Sequence, residues 1–177
     1  MDPRNRRTRM THFSIKPLAL TALLLACGAA VHADSGRASV PLLPKYQQEC
    51  AACHIAYPPG MLPAASWRRL MSTLDKHYGT DASLDEASVR DIGTWLQANA
   101  GTYKRVSEEP PQDRISQSAW FVRKHREVAP QIWKQAAVKS AANCAACHTR
   151  ADQGSFRESE ITFPQGLDAR FRRHWPD

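Results

Sequence analysis

Two short stretches, Cys50-Ala51-Ala52-Cys53-His54 and Cys144-Ala145-Ala146-Cys147-His148, limit what this chain can become more than any other feature. Both read Cys-x-x-Cys-His, the signature for covalent attachment of a c-type haem. The spacing follows from the chemistry. Two thiols about one helical turn apart can each add to one vinyl group of the same porphyrin. The adjacent histidine then lies under the ring, where its imidazole becomes the proximal iron ligand. Cys27 is the only other cysteine in the chain.

Three other readings use the same residues. A thiol–disulfide redox centre wants a thioredoxin-like βαβ frame, and no strong strand pattern surrounds either motif. A zinc site made of the four cysteines leaves both trailing histidines without a role. Two structural disulfides leave them equally idle. Paired motifs of this form favour two covalently attached haem c groups held by Cys50, Cys53, Cys144 and Cys147, with His54 and His148 on the irons.

The N-terminal stretch reads as a leader. Arg4, Arg6, Arg7, Arg9 and Lys16 precede an apolar run from Leu18 to Val31, and Val31-His32-Ala33 fits the small-residue rule for cleavage. The run is short for a membrane span, which needs roughly 20 residues. Residues 1–33 are therefore expected to be an export signal, with Met10 an alternative start, and the mature chain to lie in the periplasm without a membrane span. Leu24-Leu25-Ala26-Cys27 loosely resembles a lipoprotein site, but Leu25 fits it poorly, so a lipid anchor on Cys27 is the weaker alternative. The leader takes five basic and one acidic side chain from totals of 24 and 17, leaving 19 and 16, a net charge of +3. A nucleic-acid role thereby loses its main support.

Each iron has one further axial position, and its occupant separates electron transfer from ligand chemistry. After the leader, the methionines are Met61 and Met71 and the unassigned histidines are His77, His125 and His174. No methionine follows Met71, so the second haem has no local thioether ligand. An amphipathic helix is expected over Ala64–Tyr78, with Trp67, Leu70, Met71, Leu74 and His77 on one face and Gly79 as its stop. His77 is the sixth-ligand candidate there; the alternatives are Met71 as ligand, or His77 as a hydrogen-bonded core residue. His125 sits on an expected helix capped by Ser118, beside Trp120, Phe121 and Val128, and its alternative is a surface histidine between Lys124 and Arg126. His77 follows His54 by 23 residues, whereas His125 precedes His148 by 23. The order is reversed between halves, which argues against tandem duplication and leaves ligand exchange across the halves open. His174 belongs to a basic tail.

The expected fold is mainly α, with two small haem-containing domains, the N-terminal one cytochrome c-like. Its divisions are a signal peptide (1–33), a first haem domain (34–101), a linker (102–115), a second haem domain (116–164) and a basic, mobile C-terminal tail (165–177). A short helix over Lys45–Cys53 is expected to run into the first motif, and Tyr57-Pro58-Pro59-Gly60 to form a loop. Ser83-Leu84-Asp85-Glu86 has the form of a capping box for a helix carrying Val89, Ile92, Leu96 and Ala100. A further helix is expected over Gln131–Ala142. With about 70 residues per haem, neither half builds a large core from side chains alone. The porphyrins are then expected to be core, packed by Trp67, Trp95, Trp120 and Trp133.

The sequence resembles the bacterial dihaem cytochrome c family. The resemblance rests on Glu49-Cys50-x-x-Cys53-His54, Tyr57-Pro58-Pro59-Gly60, Leu62-Pro63, Ser66-Trp67, Leu70-Met71 and His77-Tyr78-Gly79. In the second half it continues through Trp120-Phe121, His125 and Asn143-Cys144 to His148, covering most of residues 44–164. It implies two domains and two low-spin haems, each with two histidine ligands: His54 with His77, and His148 with His125. It also implies, as redox partners, a membrane cytochrome b and a small oxygen-binding monohaem cytochrome c. The expected function is a periplasmic electron carrier rather than an enzyme. The alternative is a haem enzyme or gas-binding sensor with one open iron.

Overall fold

The first half is built around α1 (Pro44–Cys50), α2 (Ala64–Ser72) and α3 (Glu86–Ala98), and the second around α4 (Ala119–Lys124) and a series of short 3-10 turns. The computed structural model describes residues 40–101, 106 and 108–175, apart from the His174 side chain. The expected signal peptide, Cys27, the start of the lead-in and residues 102–105 and 107 of the expected linker lie outside the described residues. Residues 38–177 group as one unit. The fold is mainly α: among the described residues the only strand-like pairings are isolated bridges, His77 with Thr80 and His148 with Ile161. No helix among them is long and apolar enough to cross a membrane.

Pro44 opens α1 at a position where its fixed φ suits a helix and its missing N–H is not needed. The helix stops at Cys50 rather than running on to Cys53. Ala51 still reaches the Gln47 carbonyl at 3.0 Å, then the chain turns. The turn brings Ala56 into the same cluster as Tyr46, and the Tyr46 hydroxyl donates to the Tyr57 carbonyl at 2.8 Å. Packing of the loop has overridden continuation of the helix.

The expected helix over Ala64–Tyr78 is also shorter. It ends at Ser72, and Thr73 leaves helical geometry with φ −134° and ψ 34°. The Ser72 and Thr73 hydroxyls both donate back to the Arg69 carbonyl at 2.9 Å, a local bond that competes with helical pairing. A single 3-10 turn, Leu74–Lys76, then carries His77. Tyr78 and Gly79 follow at φ 51° and 94°, and Thr80 N–H closes the turn on the His77 carbonyl at 3.0 Å. Two consecutive positive φ values make glycine the natural choice there. Gly79 therefore ends a tight turn rather than a helix.

Helix α3 forms as its apolar face predicts, but its cap lies two residues later than Ser83. Asp85 accepts the Ser88 N–H at 3.0 Å and the Ser88 hydroxyl at 2.6 Å, because a carboxylate suits the positive end of a helix. Ile92 and Leu96 are wholly buried with Tyr46, Ala56, Leu62 and Trp67. Trp95 tilts against Tyr46 at 5.2 Å, and the Trp67 N–H donates to the Pro59 carbonyl at 2.7 Å. Trp67 and Trp95 thus build this cluster.

From residue 108 the expected linker is tied to α2. Arg69 donates to both Asp113 oxygens at 2.9 and 2.6 Å and to Glu109 at 2.6 Å. The Arg69 guanidinium holds the Asp113 carboxyl below its ordinary value of 3.8. A carboxylate depressed on folding stabilises the fold above its unfolded pKa and loses that contribution as pH falls through the folded one. Asp113→Asn is accordingly expected to lower Tm slightly at neutral pH. Melts taken at falling pH should show the gap to wild type closing below pH 3.8; a gap that persists in acid would assign the effect to packing.

In the second half, Ser118 caps α4 as expected, accepting the Phe121 N–H at 3.3 Å. The helix is only six residues long and His125 takes its C-cap. The expected helix over Gln131–Ala142 is replaced by one 3-10 turn, Ile132–Lys134. Gln135 is extended and Lys139 sits at φ 70°, so Ile132 and Val138 both turn inward to meet Leu167. No continuous apolar face holds that stretch to one helical side. The tail differs from expectation as well. Leu167 is 7 % exposed, Phe171 packs on the same cluster, and Trp175 stands edge-on to Phe163 at 5.4 Å. Phe163, Leu167, Phe171 and Trp175 recur every fourth residue, an apolar pattern masked by the surrounding arginines.

Candidate functional site

Each Cys-x-x-Cys-His motif meets one histidine from elsewhere in its own half. The rings of His54 and His77 have centroids 6.2 Å apart, and so do those of His125 and His148. An imidazole nitrogen binds a first-row metal at about 2.0 Å and lies a little over 1 Å from its ring centre. Two imidazoles on opposite sides of one metal ion therefore have centroids about 6 Å apart, and both pairs fit.

Local structure aims these rings. His54 Nδ1 bonds the Ile55 carbonyl at 2.6 Å, and His125 Nδ1 bonds the Phe121 carbonyl one helical turn back at 2.9 Å. A carbonyl can only accept, so both histidines donate from Nδ1, which leaves Nε2 as the nitrogen that can serve a metal. His77 Nδ1 and His148 Nδ1 are buried without a protein partner. In each pair it is the histidine earlier in the chain that is pinned by a backbone carbonyl. The reversed order of the motifs has this local counterpart.

Burial, above all, lowers the proton affinity of His77, with His54 and Arg114 adding to it. Burial does the same for His125, where Lys124 contributes, and for His148, where His125 contributes. Burial thus favours the neutral form of all three, the form that binds metal. Burial pushes the Cys50, Cys144 and Cys147 thiols up to about 11. Exchange-active thiols are shifted the other way, and the strand-like pairings among the described residues are isolated bridges, not the βαβ frame that a thiol–disulfide centre wants. Among the described residues no three His, Cys, Asp or Glu side chains gather to hold a metal ion by themselves, which leaves the four-cysteine zinc site without a geometry. Two histidines on one axis suit a metal whose remaining ligands come from a planar macrocycle.

Aromatic rings enclose the pairs. Phe121 stacks on His125 at 3.9 Å, Trp133 stands at 5.8 Å from it, and Phe156 lies 5.3 Å from His148. Tyr57 stacks on His54 at 4.9 Å. Tyr78 lies 4.9 Å from His77 and carries the Arg114 guanidinium over its ring at 4.1 Å. The Trp120 N–H is buried without a protein partner. Met71 packs into the first cluster and faces Gly93; Met61 is buried. Sequence reasoning had not assigned Tyr57, Phe156 or Arg114 to the site. Tyr57 was visible as the residue before a Pro-Pro pair, but nothing local marks Phe156 or Arg114.

Residues 46–156 match the family model of the dihaem cytochromes c. The chain belongs to that family. The cytochrome is similar to a crystal structure of DHC purified from Rhodobacter sphaeroides, with 48 % identity and a TM-score of 0.57 over 66 % of this chain and 99 % of that one. A diheme cytochrome c from Rhodobacter sphaeroides matches at 46 % identity and TM-score 0.59, over 67 % of this chain and 100 % of the other. The diheme cytochrome type c of Shewanella baltica OS155 matches at 32 % identity and TM-score 0.61, over 71 % and 98 %. No curated protein matches. The cytochrome accordingly has two covalently bound c-type haems, and the donor set of its two motifs suits them: at each, paired thiols with two residues between them and a pair of imidazoles with ring centroids 6.2 Å apart.

Proposed function

We propose that this cytochrome passes single electrons between redox proteins of the periplasm through two bis-histidine haems. Cys50 and Cys53 would hold the first, with His54 and His77 as axial ligands; Cys144 and Cys147 would hold the second, with His148 and His125. One haem falls in each expected domain, 34–101 and 116–164. The observation that carries this reading is the equal 6.2 Å separation of the two histidine pairs. Haem iron supplies a one-electron ferric–ferrous couple, and the protein decides whether anything else can reach it. With both imidazoles of each pair engaged, no ligand position would remain for a substrate. Two nitrogen ligands would also favour the ferric state relative to a methionine–histidine pair, which would set both potentials low.

The partners we infer are a membrane cytochrome b and a small oxygen-binding monohaem cytochrome c. A net charge of +3 beyond the expected leader is partly offset by haem propionates, so electrostatic steering is local and modest. The visible spectrum tests the reading directly. The reduced holoprotein should show low-spin bands that carbon monoxide leaves in place. A large carbon monoxide shift or a high-spin component would mean an open iron and would move the reading to gas binding or catalysis.

A further inference from the structure

Tyr57 touches both haem-attachment segments. Its ring stacks on the His54 imidazole at 4.9 Å and 28°. Its hydroxyl donates across 85 residues to the Ala142 carbonyl at 2.7 Å. Ala142 stands two residues before Cys144, and the same carbonyl accepts the Cys144 N–H at 3.0 Å. One side chain thus joins the histidine of the first motif to the peptide bearing the first thiol of the second.

The contact is held from several sides. The Tyr46 hydroxyl fixes the Tyr57 carbonyl at 2.8 Å. Pro58 lies beside Gly154 of the second half, where an added Cβ would stand 3.9 Å from the Pro58 ring. Pro58 also restricts Tyr57 to extended backbone, which limits the directions its side chain can take. Nothing about this hydrogen bond is needed to satisfy Ala142, whose carbonyl already has the Cys144 N–H. Its distinctive property is connectivity. Electron tunnelling decays far more slowly along covalent and hydrogen bonds than across a gap.

We propose that Tyr57 is a positioning residue that couples the two haems, its ring in stacking contact with His54 and its hydroxyl hydrogen-bonded to the Cys144 segment. This rests on the reading that His54 binds one iron and Cys144 holds the other haem. In each passage one iron loses an electron and the other gains it, in either direction, while Tyr57 keeps its own electrons and its proton.

Tyr57→Phe in the holoprotein keeps the ring and removes the hydroxyl; Tyr57→Leu removes the ring as well. The rate is read by NMR from the haem methyl resonances of half-reduced samples, extrapolated to low concentration to remove exchange between molecules. Exchange between the haems is expected to slow several-fold in Tyr57→Phe, which keeps the stacked ring, with low-spin spectra and both midpoint potentials at wild-type values, and to slow further in Tyr57→Leu. Unchanged exchange in both variants overturns the proposal. So does slowing that comes only with shifted potentials or a high-spin iron, which would make Tyr57 a prop for ligation. The ligation reading is tested separately, by carbon monoxide on the wild-type protein, so the two failures are distinct.

Discussion

Replacing His77 by alanine is expected to open one of the two irons to carbon monoxide while the other stays closed. The substitution is structurally mild. His77 Nδ1 has no protein hydrogen bond to lose, and its turn is held by backbone bonds, Thr80 N–H to the His77 carbonyl at 3.0 Å and Ala82 N–H to the Leu74 carbonyl at 2.8 Å. Met71 is packed into the first cluster, so it is not free to take the vacated position. About half of the haem absorbance should become high-spin, and added imidazole should restore the low-spin bands. His125→Ala should do the same to the other iron, with the added loss of the bond to Phe121. A His77→Ala protein whose two haems both stay low-spin and ignore carbon monoxide would place the sixth ligand on another residue.

The largest loss of stability is expected from Leu96→Ala. Leu96 is 0 % exposed and lies among Tyr46, Leu62, Trp67 and Ile92 where α3 meets α1 and α2. Truncation removes buried surface and leaves a cavity that three helices and a tethered loop can only partly close. Such substitutions cost about 2–5 kcal/mol, a large share of the roughly 5–15 kcal/mol by which domains are stable. A fall in Tm on the order of 10 °C follows for a protein of this size. Because the haems are covalently attached, thermal melts report packing rather than cofactor loss. A cost under about 1 kcal/mol would show that the haem, and not this cluster, carries the first half's core.

Besides the expected helix over Gln131–Ala142, which is a single 3-10 turn, the departures from sequence expectation concern where helices end. Ser72 and Thr73 return their hydroxyls to Arg69, and Asp85 outcompetes Ser83 for the cap of α3. Both are contests between local bonds of similar strength, which an apolar period does not resolve. The tail departs from expectation for a different reason. Its arginines dominate the composition, yet Leu167 and Phe171 complete the second cluster.

Sequence alone determined the chemistry of attachment: a Cys-x-x-Cys-His run is a property of five consecutive residues and needs no fold to be recognised. It also narrowed the further ligand candidates to a few residues, because so few histidines and methionines remain. The family resemblance implied the histidine pairs, but residue spacing by itself left them open, since which imidazoles meet depends on how far α2 and α4 run and where the turns after them point. Tertiary structure alone decided that Tyr57 meets Ala142. A contact across 85 residues leaves no periodicity to read, because it is set by packing between segments rather than by the geometry of either one.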